Sequence, residues 1–282
     1  KTAMKASPHT FDSLLSDKLT TDMLPNFIYG SYTGLAVTVF GLVPTITAMF
    51  GKSILPSLAE SCAKNDKKAM QSGLTKMLIV TSIIAIPAGM GIAVLSEPIL
   101  RFLFGGRETE IQVCIMPMSI LGIAVIFLAI ATPCFAILQT LGKPHKAIII
   151  MSAGGIIKLF LNIILIRQPI INISGAAIST LVSEVFICVL SVRSVCKMTD
   201  LKPKVSEIFV KPTYAAITCS VTAILSHETL TKIAHLQINH RFVTLFSIGI
   251  GSTMYFFCLY LLCETPKNIV NYIFSKKNPQ NP

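Results

Sequence analysis

Long apolar runs alternate with short polar connections along most of this chain of 282 residues. A helix of about 20 apolar residues crosses a hydrocarbon layer about 30 Å thick, so each run of that length predicts a membrane-spanning helix. The pattern gives seven spans: 27–50, 77–100, 114–139, 147–166, 172–192, 209–226 and 242–263. The sixth is the weakest, since Lys211 and Pro212 lie at its start. We therefore predict an all-α fold, a polytopic membrane helix bundle over residues 27–263.

Composition and charge agree with this pattern. Hydrophobic residues make up 52% of the chain and charged residues 13%, about half of the roughly 25% usual in soluble domains. The net charge of +11 is not spread evenly, because fifteen of the 24 Lys and Arg residues fall in connections on one side of the seven spans and eight on the other. By the positive-inside rule the richer side is cytoplasmic. We therefore expect a multi-pass protein of the cell membrane with a cytoplasmic C-terminus and no nucleic-acid partner.

The two ends of the chain differ from the spans. Residues 1–26 contain the amphipathic stretch FDSLLSDKLTTDML and no signal peptide, so we predict an external segment that is the remnant of a preceding span of a longer protein. Residues 264–282 are polar and basic and are expected to form a cytoplasmic tail.

Neither the cysteines nor the histidines predict a chemical site. The eight cysteines form no CxxC pair, and the five histidines fall in predicted connections without carboxylate pairs at ligand spacing. We therefore expect no catalytic residue, metal or cofactor, and we do not expect an enzyme.

Three predicted spans contain an internal proline: Pro44, Pro87 and Pro133. A proline inside a helix removes one backbone hydrogen bond and usually bends the helix. The set favours hinges in a transporter-like bundle whose bent helices line a cavity. Close helix packing is the alternative explanation, particularly for the glycines that accompany these prolines.

One lysine, Lys158, lies within the stretch GGIIKLFLNIILI of the fourth span. It is ten residues, about 15 Å, from the end of that span, and Glu184 lies about 18 Å from the same surface in the antiparallel fifth span. A charge at this depth costs about 3 kcal/mol or more, so it is rarely left facing lipid. Asn162 follows Lys158 by one helical turn and shares its face, and Glu184 shares its face with Ala176, Ala177, Ser179, Thr180 and Ser183.

Two interpretations of Lys158 and Glu184 are open, and they are compatible with each other. The pair can be a buried ion pair that holds two helices together. Alternatively, one or both line a solvated cavity and bind an anionic substrate or a coupling ion.

Four segments, in the same order along the chain, resemble a known family: YGSYTGLAVTVFGLVPTITAMFGKSILPSLAE (29–60), PILRFLFGG (98–106), ILQTLGKPHKAIIIMSAGGIIKLFLNIILI (137–166) and ISGAAIST (173–180). They are similar to the polysaccharide-biosynthesis and stage V sporulation protein B branch of the multidrug/oligosaccharidyl-lipid/polysaccharide exporter superfamily. The similarity covers residues 25–265.

The resemblance implies a fourteen-helix transporter of two lobes, of which this chain would be the C-terminal lobe. Its partners would then be the missing N-terminal lobe of the same protein, membrane lipids and a lipid-linked sugar substrate. The implied function is a flippase or exporter for undecaprenyl-linked oligosaccharide or peptidoglycan precursor, working by alternating access in cell-wall or sporulation biosynthesis. It also offers Lys158 and Asn162 as cavity residues, whereas Glu184 rests on its depth alone.

Two other functions remain open from the sequence. A cation-coupled multidrug antiporter of the same superfamily would use Glu184 as its coupling carboxylate. A scaffold without transport activity is the third possibility.

Overall fold

The computed structural model describes residues 23–64, 66–168, 171–200, 206–234 and 240–262. These ranges form eight α-helices and no strand: α1 Leu24–Ala63, α2 Lys67–Val94, α3 Ser96–Phe104, α4 Glu108–Thr140, α5 Pro144–Leu165, α6 Ser174–Thr199, α7 Lys211–Ala234 and α8 His240–Leu262. A π-helical turn, Ser206–Val210, leads directly into α7. All of the α-helices except α3 belong to the seven segments that are long and apolar enough to cross a membrane. The all-α prediction and the seven spans are therefore confirmed. Most of the predicted external segment and the whole predicted tail lie outside the described residues.

Helix α4 is the centre of the bundle. It packs against α1, α2 and α6, and half of its most apolar stretch is buried inside the structure. Helices α7 and α8 pair with each other, and α7 joins them to α2. Helix α5 lies at the edge, mainly against α6, and only 11% of its apolar stretch is buried. Large exposed apolar side chains cover its outer side, among them Ile149, Leu159, Phe160 and Ile163.

The predicted spans are correct in number but not in their ends. The second was expected to run to residue 100, yet α2 ends at Val94 and α3 begins at Ser96. Pro98 explains the break, because it has no N–H to donate to the carbonyl of Val94 and is tolerated in the first turn of a new helix. The sixth span was expected to end at 226, which left His227 in a connection. That placement is wrong, since α7 continues to Ala234.

The connection between α4 and α5 is fixed by its sequence. Gly142 has a left-handed backbone with φ of 70°, which glycine adopts without a steric cost. Its N–H donates to the carbonyl of Gln139 at 3.0 Å, and the N–H of Lys143 donates to the carbonyl of Leu138 at 3.0 Å. This is a Schellman ending, and Pro144 then starts α5, where its missing N–H costs nothing. The tight turn sets α5 beside the end of α4.

Polar side chains join the start of α2 to the end of α6. The amide of Gln71 donates to the carbonyl of Thr199 at 3.1 Å, and Lys67 forms an ion pair with Asp200 at 3.3 Å. We call this side of the bundle the basic end; it contains the α1–α2 and α4–α5 connections and the last turns of α6.

Candidate functional site

The three cavity residues predicted from the sequence, Lys158, Asn162 and Glu184, lie on the two helices α5 and α6, which pack against each other. One face of α5 contains Gly154, Lys158 and Asn162, at intervals of one turn. A side chain on Gly154 would collide with Ile187 of α6, so the two helices approach closely there. Two turns further along α5, the hydroxyl of Ser179 on α6 donates to Oδ1 of Asn162. We call Lys158, Asn162, Ser179 and Glu184 the polar seam.

Glu184 is the most deeply placed charged group of the polar seam. It is 8% exposed, and its neighbours Ser179, Thr180 and Ser183 are buried as well. Lys158 lies close enough to exert an electrostatic attraction on its carboxylate. The ion pairs of 4 Å or less within the described residues do not include these two groups.

One oxygen of this carboxylate, Oε2, receives no hydrogen bond from any of the described residues. A buried carboxylate oxygen without a donor is costly unless a cation or a proton compensates it. The position can therefore accept a proton, a metal cation or the ammonium group of Lys158.

Lys158 itself is half-buried, because its helix lies at the edge of the bundle. Its neighbours Leu159 and Phe160 are 63% and 65% exposed. The polar seam thus runs from a buried carboxylate on α6 to a half-buried lysine on α5, the helix at the edge of the bundle. Whether that surface borders a solvated cavity stays a prediction.

Pro44, Pro87 and Pro133 lie inside α1, α2 and α4, which continue through them. Each proline leaves the carbonyl four residues earlier without its helical donor. For Pro87 this is the carbonyl of Ile83, which accepts from the hydroxyl of Tyr255 on α8 at 2.9 Å. For Pro133 it is the carbonyl of Ala129, which lies 3.2 Å from the hydroxyl of Thr47 on α1. Both prolines therefore sit at hydrogen bonds between helices, and their role as hinges stays a prediction.

The glycines that accompany Pro44 in the first span lie on a further polar surface of α1, whose threonines were not singled out from the sequence. Gly30, Gly34, Thr38, Gly41 and Thr45 share one exposed face, which we call the α1 open face. Side chains added at its three glycines would meet nothing within 4 Å. A π-helical turn over Tyr32–Ala36 interrupts the helix at this face, a feature often found at functional sites. The signal in the sequence was the recurrence of glycine and threonine every three or four residues.

In the described ranges, no group of three or more His, Cys, Asp or Glu side chains is arranged to hold a metal ion.

Comparison with known proteins gives matches of moderate identity. The chain is 26% identical to the lipid II flippase MurJ of Bacillus subtilis (strain 168) over 136 residues, which are 48% of this chain and 25% of that protein. It is 22% identical to stage V sporulation protein B of the same organism over 182 residues, 64% of this chain and 34% of that protein. It is 26% identical to the probable low-salt glycan biosynthesis flippase Agl15 of Haloferax volcanii over 186 residues, 64% of this chain and 38% of that protein.

The chain thus spans between a quarter and two-fifths of the length of these relatives. The profile of the lipid II flippase MurJ family matches residues 29–250. This match starts in α1 and ends in α8, so it includes residues of all seven spanning segments. It confirms the resemblance found in the four sequence segments, and the chain belongs to the lipid II flippase MurJ family.

Proposed function

We propose that this chain is one lobe of a flippase that moves a lipid-linked oligosaccharide or peptidoglycan precursor across the cell membrane by alternating access. The observation that carries the proposal is the family match, which runs from α1 to α8 of a seven-span bundle. Related proteins are named as flippases for lipid II and for glycan biosynthesis. The chain would contribute transport rather than a catalytic step.

The transfer of a polar headgroup through the membrane would explain why polar groups lie within membrane helices. Sugars and a diphosphate are too costly to pass through hydrocarbon without compensation, so a transporter must offer them a polar route. An ammonium group forms charge-assisted hydrogen bonds with phosphate oxygens. We assign that role to Lys158, with Asn162 as a neighbouring hydrogen-bonding group and Glu184 as the carboxylate that attracts the ammonium when no ligand is bound.

The second lobe of the transporter would come from the part of the protein that precedes this chain. The α1 open face is suited to border it, since glycines and threonines allow close approach or water contact and offer little to lipid chains. In this arrangement the C-terminus is cytoplasmic, because the basic end faces the cytoplasm by the positive-inside rule. Pro44, Pro87 and Pro133 would act as hinges in alternating access.

The test is reconstitution of the complete protein into liposomes that contain a lipid-linked saccharide with a labelled headgroup. We expect the label to become accessible on the opposite leaflet much faster than in protein-free liposomes. An equal rate in both preparations would refute the proposed transport.

A cation-coupled antiporter is the second candidate, and the unpartnered Oε2 of Glu184 favours it. In that case a sodium or proton gradient would drive efflux of a cationic drug without any lipid-linked substrate, and Glu184→Gln would abolish this efflux. Gradient-independent transport of the lipid-linked saccharide, together with no drug efflux, would reject the antiporter.

A further inference from the structure

A groove lies between α6 and α7, and no residue of α5 lines it. Its volume is about 900 Å³, within the range of about 300–1,000 Å³ that is typical of ligand sites. Ile126 and Ile130 of α4 form the floor, with Val189 of α6 on one side and Phe209, just before α7, on the other. Val189 is 58% exposed, so the groove opens at the bundle surface. We call it the α6–α7 groove.

Two cations stand at the mouth of this apolar groove. Arg193 and Lys197 are one turn apart on α6, and both line the groove and are exposed. Neither forms an ion pair or a side-chain hydrogen bond with another described residue. The carboxylate that shares the mouth, Asp200, is already paired with Lys67 at 3.3 Å. The mouth therefore has two positive charges without a counter-ion among the residues that the structure describes.

The depth of these charges matches a lipid headgroup. Arg193 lies seven residues, about 10 Å, before Asp200 at the basic end of α6. Long basic side chains at such positions extend toward the interface while their stems cover apolar surface. An amphiphile with an anionic head and an apolar chain would satisfy both parts of the site.

We propose that the α6–α7 groove binds an anionic phospholipid, with its phosphate between Arg193 and Lys197 and an acyl chain along Ile126 and Ile130. The site is separate from the polar seam, because neither Lys158 nor Glu184 lines the groove. It does not depend on the transport function proposed above. It would hold a lipid between α6 and α7, which both line this apolar gap.

The first test measures binding of fluorescent phosphatidylglycerol to the complete protein in detergent. We expect Arg193→Gln/Lys197→Gln to weaken binding about thirtyfold, since each basic side chain near an anionic surface contributes about 1 kcal/mol. The matched control is Lys143→Gln/Lys146→Gln, which removes two charges at the same end of the bundle but outside the groove. Equal affinity in the two double variants would overturn the proposal.

The second test needs no change in the charges. Cys196 lines the groove, whereas Cys62 lies at the end of α1 outside it. In nanodiscs that contain phosphatidylglycerol, alkylation of Cys196 should be several times slower than in phosphatidylcholine nanodiscs, and alkylation of Cys62 should be the same in both. An unchanged rate at Cys196 would overturn the proposal.

A competing occupant is the polyprenyl diphosphate carrier, which has the same combination of anion and apolar chain. If a polyprenyl diphosphate displaces phosphatidylglycerol at a lower concentration than phosphatidylglycerol itself requires, and the displacement depends on Arg193 and Lys197, the groove is a substrate site and the phospholipid assignment is wrong.

Discussion

Lys158 and Glu184 make up an incomplete pair in the membrane. Glu184 is buried, and one of its oxygens has no hydrogen-bond donor in the described part of the chain. Lys158 attracts it electrostatically from a neighbouring helix without a contact of 4 Å or less. A lysine side chain has four methylene groups and can reposition its ammonium by several ångströms. This geometry suits an ammonium group that can exchange its partner, because it is attracted to the carboxylate without being fixed to it by a close ion pair.

The first prediction concerns the coupling of these two residues. In the complete protein, Lys158→Gln and Glu184→Gln should each destabilise the fold, and the double variant should lose about 1 kcal/mol less than the sum of the single losses. The reason is that each single change leaves the other charge buried without compensation. The free energy of unfolding in detergent micelles is the quantity to measure.

Lys146 supplies the control for this comparison of single and double variants. It lies on the same helix, three turns toward the basic end, so Lys146→Gln and Glu184→Gln should have additive effects. Additive effects for Lys158 and Glu184 as well would reject their direct coupling.

The sequence was sufficient to identify Lys158 and Glu184 but not the hydrogen bond beside them, and both outcomes have a physical cause. A charge in a long apolar run is conspicuous whatever its neighbours are, so Lys158 and Glu184 could be selected and their common depth calculated. The hydrogen bond from Ser179 to Asn162 could not be predicted. It depends on how far α5 and α6 slide past each other, which the spacing within each helix does not determine.

At the scale of elements, Gly154 determines how closely α5 approaches α6. A side chain there would meet Ile187, whereas one at the next residue, Gly155, would meet nothing within 4 Å. We predict that Gly154→Leu pushes α5 away and destabilises the fold by about 1–3 kcal/mol. Gly155→Leu should leave the stability unchanged within about 0.5 kcal/mol.

The same pair of variants gives a structural measurement. Cross-linking between cysteines placed at Asn162 and Ser179 should be fast with Gly155→Leu and slow with Gly154→Leu. Equal rates would show that close packing at Gly154 does not hold the polar seam together.

Pro87 and Tyr255 join α2 to α8 through a carbonyl group that the proline leaves free. Tyr255→Phe should destabilise the fold by about 1 kcal/mol, because the carbonyl of Ile83 loses its hydroxyl donor at 2.9 Å. Replacing Pro87 by alanine restores a backbone N–H as donor. We therefore predict that Tyr255→Phe costs clearly less in the Pro87→Ala background, as measured by thermal unfolding. The same loss in both backgrounds would contradict this explanation.

At the scale of the whole molecule, hydropathy predicts how many helices cross the membrane but not where each one lies. The most apolar stretches of α2 and α5 have the same mean hydropathy of 2.2. Yet 39% of that stretch is buried in α2 and only 11% in α5. Lipid chains are as apolar as leucine, so a side chain that faces lipid cannot be distinguished by hydrophobicity from one that faces another helix. The central position of α4 and the edge position of α5 required the structure.

The orientation of the bundle in the membrane is also a property of the whole molecule. We predict that a cysteine at Ala63 reacts with a membrane-impermeant maleimide only after the cells are permeabilised, whereas one at Thr109 reacts in intact cells. Both positions are exposed at opposite ends of the bundle, and both would be introduced into the complete protein without its native cysteines. The reverse pattern would place the basic end outside.

The translocation rate of the complete protein with Lys158→Ala, compared with Lys146→Ala, tests most directly whether the polar seam serves transport. A charge-assisted hydrogen bond to a phosphate contributes about 1.5–3 kcal/mol, so Lys158→Ala should slow the transfer of a lipid-linked saccharide by about tenfold or more. Lys146→Ala should transport at the wild-type rate, and both variants should be present in the membrane in equal amounts. A wild-type rate with Lys158→Ala would contradict the role of this lysine in transport.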